Sequence, residues 1–167
     1  METILNVEPL TKQAFASFGN VIETEGSQHF PINNGSTERF HDLASIDVSE
    51  AEGRPIVSIF RAQPLKMPLC VKMMERHPLA SQAFIPSGSE AFLVLVAPRG
   101  EVVHPDQLRL FLTNGRQGVN YHRGVWHHPV LALKPDQDFI IIDRGGEGHN
   151  CDEVFFDTDQ QIILPYV

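Results

Sequence analysis

Two stretches of this chain hold side chains whose types and spacing suit chemistry. In "MMERHPL" (73–79), Glu75 and His77 stand two residues apart. In "GVNYHRGVWHHP" (118–129), three of the eight histidines, a tyrosine and the only tryptophan fall within twelve positions. Neighbouring side chains of a strand point to opposite faces, and alternate ones share a face. Glu75 and His77 therefore share a face that Arg76 does not, and His127 and His128 cannot both point inward. At most one of that pair is a ligand, and the other looks outward or into an interface. Glu75, His77 and His127 could converge from two strands into one cavity, where two imidazoles and a carboxylate suit zinc, iron, nickel or manganese. The plainer alternative for any single strand histidine is a core or surface residue with its hydrogen bonds met.

Three arginines lie in apolar surroundings: Arg39 in "ERFHDL", Arg61 in "SIFRAQP" and Arg144 in "IIIDRGG". A guanidinium is seldom buried without a partner, and its fork matches a carboxylate in two places. Each is a candidate for an anionic substrate or for an internal salt bridge, with Asp42 or Asp143 as examples of the acid. "PINNGSTERFHD" (31–42) adds His41 and the Asn34-Gly35 pair. That pair is most simply a turn, but primary amides lining a cavity can also hold a urea-like group, because they both donate and accept. No phosphate-binding loop, nucleophile elbow or H-E-x-x-H helix is present, so nucleotide hydrolysis, serine esterase chemistry and zincin proteolysis have no support.

These residues must be held by strands. "RPIVSIFRA" (54–62), "EAFLVLVA" (90–97), "LRLFLT" (108–113) and "DFIIID" (138–143) are rich in β-branched and aromatic residues. Asn34-Gly35, Ser87-Gly88, Asn114-Gly115 and Gly145-Gly146 punctuate them. One helix is expected near the start, with Thr11 as its cap, Ala14, Phe15 and Phe18 on one side and Gly19 at its end. Twelve prolines and twelve glycines are spread along the 167 residues without marking a linker, so one domain, 1–167, of all-β sandwich or barrel type is expected. The net charge of −8 opposes binding to nucleic acid or to anionic membrane surfaces. Cys70 and Cys151 stand alone, as reduced thiols of a cytoplasmic protein would. The N-terminus has no signal-peptide pattern, and the longest apolar run, "AFLVLVAP", stops well short of a membrane span.

"INNGSTERFHDLA", "RAQP", "ERHPLASQAFIP", "TNGRQGVNYHRGVWHHP" and "IDRGG…NCD" together resemble the ureidoglycolate lyase family, from about Leu10 to Asp152. The resemblance implies a cupin-like double-stranded β-helix or jelly-roll barrel with a short N-terminal helix, and a homodimer. It implies cleavage of (S)-ureidoglycolate into glyoxylate and urea, downstream of allantoin in purine catabolism. Cupins carry an H-x-H-x₃₋₄-E motif and a later histidine. Here Glu75, His77 and Gln82 occupy the first pattern and His127 the second. Glutamate replaces the first histidine and glutamine the usual glutamate, which points to weak or dispensable metal; nickel is the ion the family suggests. The resemblance makes His77, His127, Tyr121 and His41 the catalytic candidates. Arg61 or Arg144 leads for the substrate carboxylate, with Arg39 and Asn34 beside them. Elimination needs a base, an acid and charge neutralisation, so urea rather than ammonia is the expected nitrogen product. The alternatives are another metal cupin acting on a small hydroxy acid, or a non-enzymatic module that senses a metabolite.

Overall fold

The computed structural model describes residues 1–167. The chain begins with β1 (Glu2–Ile4), β2 (Val7–Pro9), the helix α1 (Lys12–Phe15) and β3 (Gly19–Ile22). A hairpin of β4 (His29–Ile32) and β5 (Thr37–Phe40) follows, then the long β6 (Arg54–Ala62). Next come β7 (Leu69–Cys70), β8 (Met73–Arg76), β9 (Gln82–Pro86), β10 (Phe92–Ala97) and β11 (Arg109–Leu112). The remainder is β12 (Gly118–Tyr121), β13 (Trp126–His127), β14 (Leu131–Ala132), β15 (Gln137–Gly145), β16 (Asp152–Phe155) and β17 (Gln161–Leu164).

Two sheets make the body of a cupin-like all-β sandwich. One runs β16-β8-β13-β10-β11-β2, with β14 also on β10; the other runs β3-β12-β9-β15-β6. Between them lies a core of Val94, Val96 and Phe111 from the first sheet and Phe84, Tyr121, Phe139 and Ile141 from the second. A second core fills the far side of the first sheet, where Leu93, Leu95 and Trp126 meet Ile162 and Leu164 of a small sheet, β1-β17-β7. This explains why "FLVLVA" is apolar throughout instead of alternating. β10 is buried on both faces, with Val94 and Val96 turned to one core and Leu93 and Leu95 to the other.

The helix is shorter than its sequence pattern suggests. Thr11 caps it as expected, with Oγ1 accepting from the Ala14 amide, but it ends at Phe15. Gly19 serves the sheet instead of a helix end. It opens β3 opposite Tyr121, and a Cβ there would run into the Asn120 carbonyl oxygen. Asn33, Asn34 and Gly35 all take positive φ at the tip of the β4–β5 hairpin, the conformation that asparagine and glycine tolerate.

Candidate metal and active site

Two rows of side chains, one on each main sheet, meet across the sandwich. On the first sheet, Glu153 of β16, Glu75 of β8 and His127 of β13 stand directly opposite one another on adjacent strands. On the second, Gln82 of β9 lies opposite Tyr121 of β12, and Asp143 of β15 follows one step past the Ile142–Ala83 pair. Alternation turns Asp143 to the same side as the fully buried Phe139 and Ile141. The Tyr121 ring stacks on His127 at 4.2 Å between centroids and 6° between planes. His77, just past the end of β8, lies 5.1 Å from His127, ring to ring.

The hydrogen bonds fix what each ring presents. His77 Nδ1 donates to the Asn150 carbonyl at 2.8 Å, and His127 Nδ1 donates to the Val125 carbonyl at 3.1 Å. In the neutral imidazole of His127 this leaves Nε2 as a lone pair, the form in which histidine binds metals. Asn150 is itself held, its Oδ1 accepting from the Leu79 amide. His127 is 1% exposed, and its Nε2 has no hydrogen-bond partner; it faces Glu75 Oε1 at 3.5 Å, beyond hydrogen-bond length. His77 Nε2 faces Gln82 Oε1 at 2.9 Å. Ligand atoms of Glu75, His77 and His127 all lie within 4.8 Å of one another. Three side chains able to ligate a cation thus converge, with both Nδ1 atoms turned away to carbonyls. The residues fit a divalent metal.

The electrostatics agree with that set. Burial works against the charge of Glu75, but contact with His127, and the nearby His77 and His128, outweigh it and hold the carboxyl below its ordinary value. Burial lowers His127, keeping the imidazole neutral. Burial, then the charge of Glu75, pushes the Tyr121 phenol well above its usual range, so it stays protonated and can donate. His128 is also lowered by burial; its Nδ1 contacts the Pro129 carbonyl and it stands apart from the cluster.

A family profile described as ureidoglycolate lyase matches residues 2–163. The chain belongs to the ureidoglycolate lyase family. It is 61% identical to the ureidoglycolate lyase of Pseudomonas paraeruginosa strain PA7 over 160 residues, covering 96% of this chain and 95% of the relative. It is 61% identical to that of Azotobacter vinelandii over 161 residues, covering 96% and 97%. It is 58% identical to that of Pseudomonas fluorescens strain SBW25 over 164 residues, covering 98% of each.

Set against the lyase family reading, Glu75, His77, Gln82, Tyr121 and His127 come together, while the other expected residues lie elsewhere. Arg61 is bound in two places to Asp138, at 2.9 and 3.0 Å, on the outer side of the β6–β15 ladder. Arg144 is buried, but its guanidinium donates to the carbonyls of Glu50, Ala51 and Glu147, pinning two loops. It follows Asp143 in β15, so it projects to the opposite face. Both arginines are thus engaged away from the cluster, one in an ion pair and one by backbone carbonyls. Arg39 and Asn34 are exposed on the β4–β5 hairpin. His41 packs against Phe30 and lines a cleft of about 400 Å³ with Lys12, Asn20, Gln28, Asp42 and His122. Asp143 and Asn150, both in contact with the cluster residues, were not expected. Inward parity with Phe139 and Ile141 was the available signal for Asp143; nothing local marks Asn150.

Proposed function

We propose that this chain is a ureidoglycolate lyase that cleaves (S)-ureidoglycolate to glyoxylate and urea, in the breakdown of purines through allantoin, in the cytoplasm. The single observation that carries the chemistry is the convergence of possible ligand atoms of Glu75, His77 and His127, in a chain about 60% identical to proteins of that name. A divalent ion held by these three residues, nickel being the one the family suggests, would lower the pKa of the substrate hydroxyl and orient it. The substrate carbon carries a hydroxyl, a ureido nitrogen and a carboxylate. The hydroxyl proton must leave, the C–N bond must break, and the urea nitrogen must gain a proton. Ionised Glu75 and the neutral His127 imidazole are the groups able to accept a proton, and protonated Tyr121 is placed beside them as a donor. Arg61 is held by Asp138 and Arg144 by loop carbonyls, while Arg39, Asn34 and His41 stand on or beside the β4–β5 hairpin, apart from the cluster, so none of the five is assigned to the substrate carboxylate or urea group.

The reading includes a homodimer. Val57 and Ile59 of β6 are 71% and 68% exposed, and Ile140 beside them 37%. β6 is also the edge of its sheet, and a long apolar edge left open invites aggregation. A second copy covering this edge answers both features. Light scattering at the monomer mass of 18.7 kDa overturns it.

The decisive assay supplies (S)-ureidoglycolate and measures products without added urease. One urea per glyoxylate is expected; stoichiometric ammonia without urea overturns the lyase, and no turnover overturns the enzyme.

A further inference from the structure

Gln82 is an unusual residue to find at a metal site beside a carboxylate, because an amide has two ends and only one of them suits a cation. The hydrogen bonds around it decide which end is presented. Gln82 Nε2 donates to Asp143 Oδ2 at 3.1 Å, and Gln82 Oε1 faces His77 Nε2 at 2.9 Å. The Asp143 oxygen accepts from the amide nitrogen, which turns the amide oxygen toward His77. On the other side Gln82 Oε1 is paired with His77 Nε2 at 2.9 Å, and His77 Nδ1 with the Asn150 carbonyl. Gln82 is 6% exposed, so no bulk water competes for either end of the amide.

We propose that Asp143 is a positioning residue that makes Gln82 an oxygen ligand. By holding the amide nitrogen, it aims Oε1 at the space where Glu75, His77 and His127 converge and adds a fourth acceptor to their three. The arrangement parallels the carboxylates that orient metal-bound histidines, with an amide in place of the imidazole. Loss of Asp143 lets the amide rotate and present its NH₂ group to the cation, which repels it. Asp143 Oδ1 is buried without a hydrogen-bond partner. That unsatisfied oxygen has no structural partner to stabilise, so the carboxylate's one hydrogen bond in this network is the one to Gln82. The inference rests on the metal reading of the site.

The test is Ni²⁺ titration of the untagged full chain by calorimetry, with wild type, Asp143→Asn, Gln82→Met and the double variant compared. Both single substitutions are close in shape, and far-UV circular dichroism checks the fold. Each single variant should bind Ni²⁺ about 10- to 100-fold more weakly, the usual loss for an orienting partner. The double variant should bind no worse than Gln82→Met, because Asp143 acts only through Gln82. Co²⁺ provides a second readout: its visible absorption reports the ligand set and should change in the same way in both single variants. Wild-type affinity in Asp143→Asn, or losses that add in the double variant, overturn the role of Asp143 while leaving the three-residue site standing. A wild type that binds neither Ni²⁺ nor Co²⁺ overturns the metal reading and this inference with it. If Asp143→Asn does not fold, Gln82→Met with an unchanged Co²⁺ spectrum is sufficient to overturn it.

Discussion

His127 Nε2 and Glu75 Oε1 face each other at 3.5 Å on adjacent strands in direct register, and His127 Nε2 has no hydrogen-bond partner. Neither has another role in holding the fold, since His127 is anchored through Nδ1 and the Tyr121 ring. This pair is where structure and chemistry are most clearly joined.

Replacing His127 by alanine should remove bound divalent metal and lower kcat/KM by at least about 100-fold, the scale of losing a proton-transferring or metal-binding group. His77→Ala should do the same. Metal content by elemental analysis and turnover by glyoxylate release check this, and equal metal content in both variants and wild type sinks the site.

Tyr121 has two separable contributions. Its ring supports His127 and packs with Phe15 and Phe84, while its hydroxyl makes no hydrogen bond in the protein. Tyr121→Phe should therefore keep the melting temperature and reduce kcat. Tyr121→Leu should also lose the aromatic pairing, worth about 0.5–1.5 kcal/mol beyond burial. Thermal melts of the two variants decide; a Phe variant with full kcat removes the hydroxyl from the reaction.

Arg61 and Arg144 should behave oppositely. Arg61 is two-thirds exposed in its pair with Asp138, where solvent screens the charges, and Arg61→Ala should leave both the denaturation midpoint and the kinetics essentially unchanged. Arg144→Leu leaves the Ala51 and Glu147 carbonyls without their side-chain donor, the Glu50 carbonyl keeping the Gly53 amide, and should cost about 2 kcal/mol or more. Urea denaturation measures both. A large rise in KM on losing Arg61 would return it to the substrate carboxylate.

Stability should fall on mild acidification. His122, His127 and His128 are each held below the ordinary histidine value, burial being the largest cause in all three, with Arg99 adding to it at His122. A depressed value favours the uncharged form in the folded state, so the unfolded chain binds more protons as pH drops. The contribution is complete above the unfolded value of about 6.5 and is lost as pH falls through the folded values. Denaturation midpoints at about pH 7 and pH 5 should differ accordingly, and His128→Gln should shrink the difference. A midpoint that does not move between them contradicts the burial argument.

Much of this was decided locally along the chain. Strand alternation placed Glu75 and His77 on one face and separated His127 from His128, because side-chain direction in a strand depends only on parity. Apolar patterning marked β6 and β15, and the Asn34-Gly35 pair marked a turn by its tolerance of positive φ. The chain's motifs were also enough to suggest its family. Other features depended on which strands became neighbours. Arg61 and Arg144 looked alike in sequence, both embedded in apolar strands, yet register put Asp138 opposite one and loop carbonyls around the other. The helix ended at Phe15, and Gly19 was used instead for close approach of β3 to β12. Gln82 looked like a poor ligand until its amide was seen held between Asp143 and His77, residues 61 positions after it and 5 before. Hydrogen-bond direction depends on partners brought together from distant strands, and only the tertiary structure supplies them.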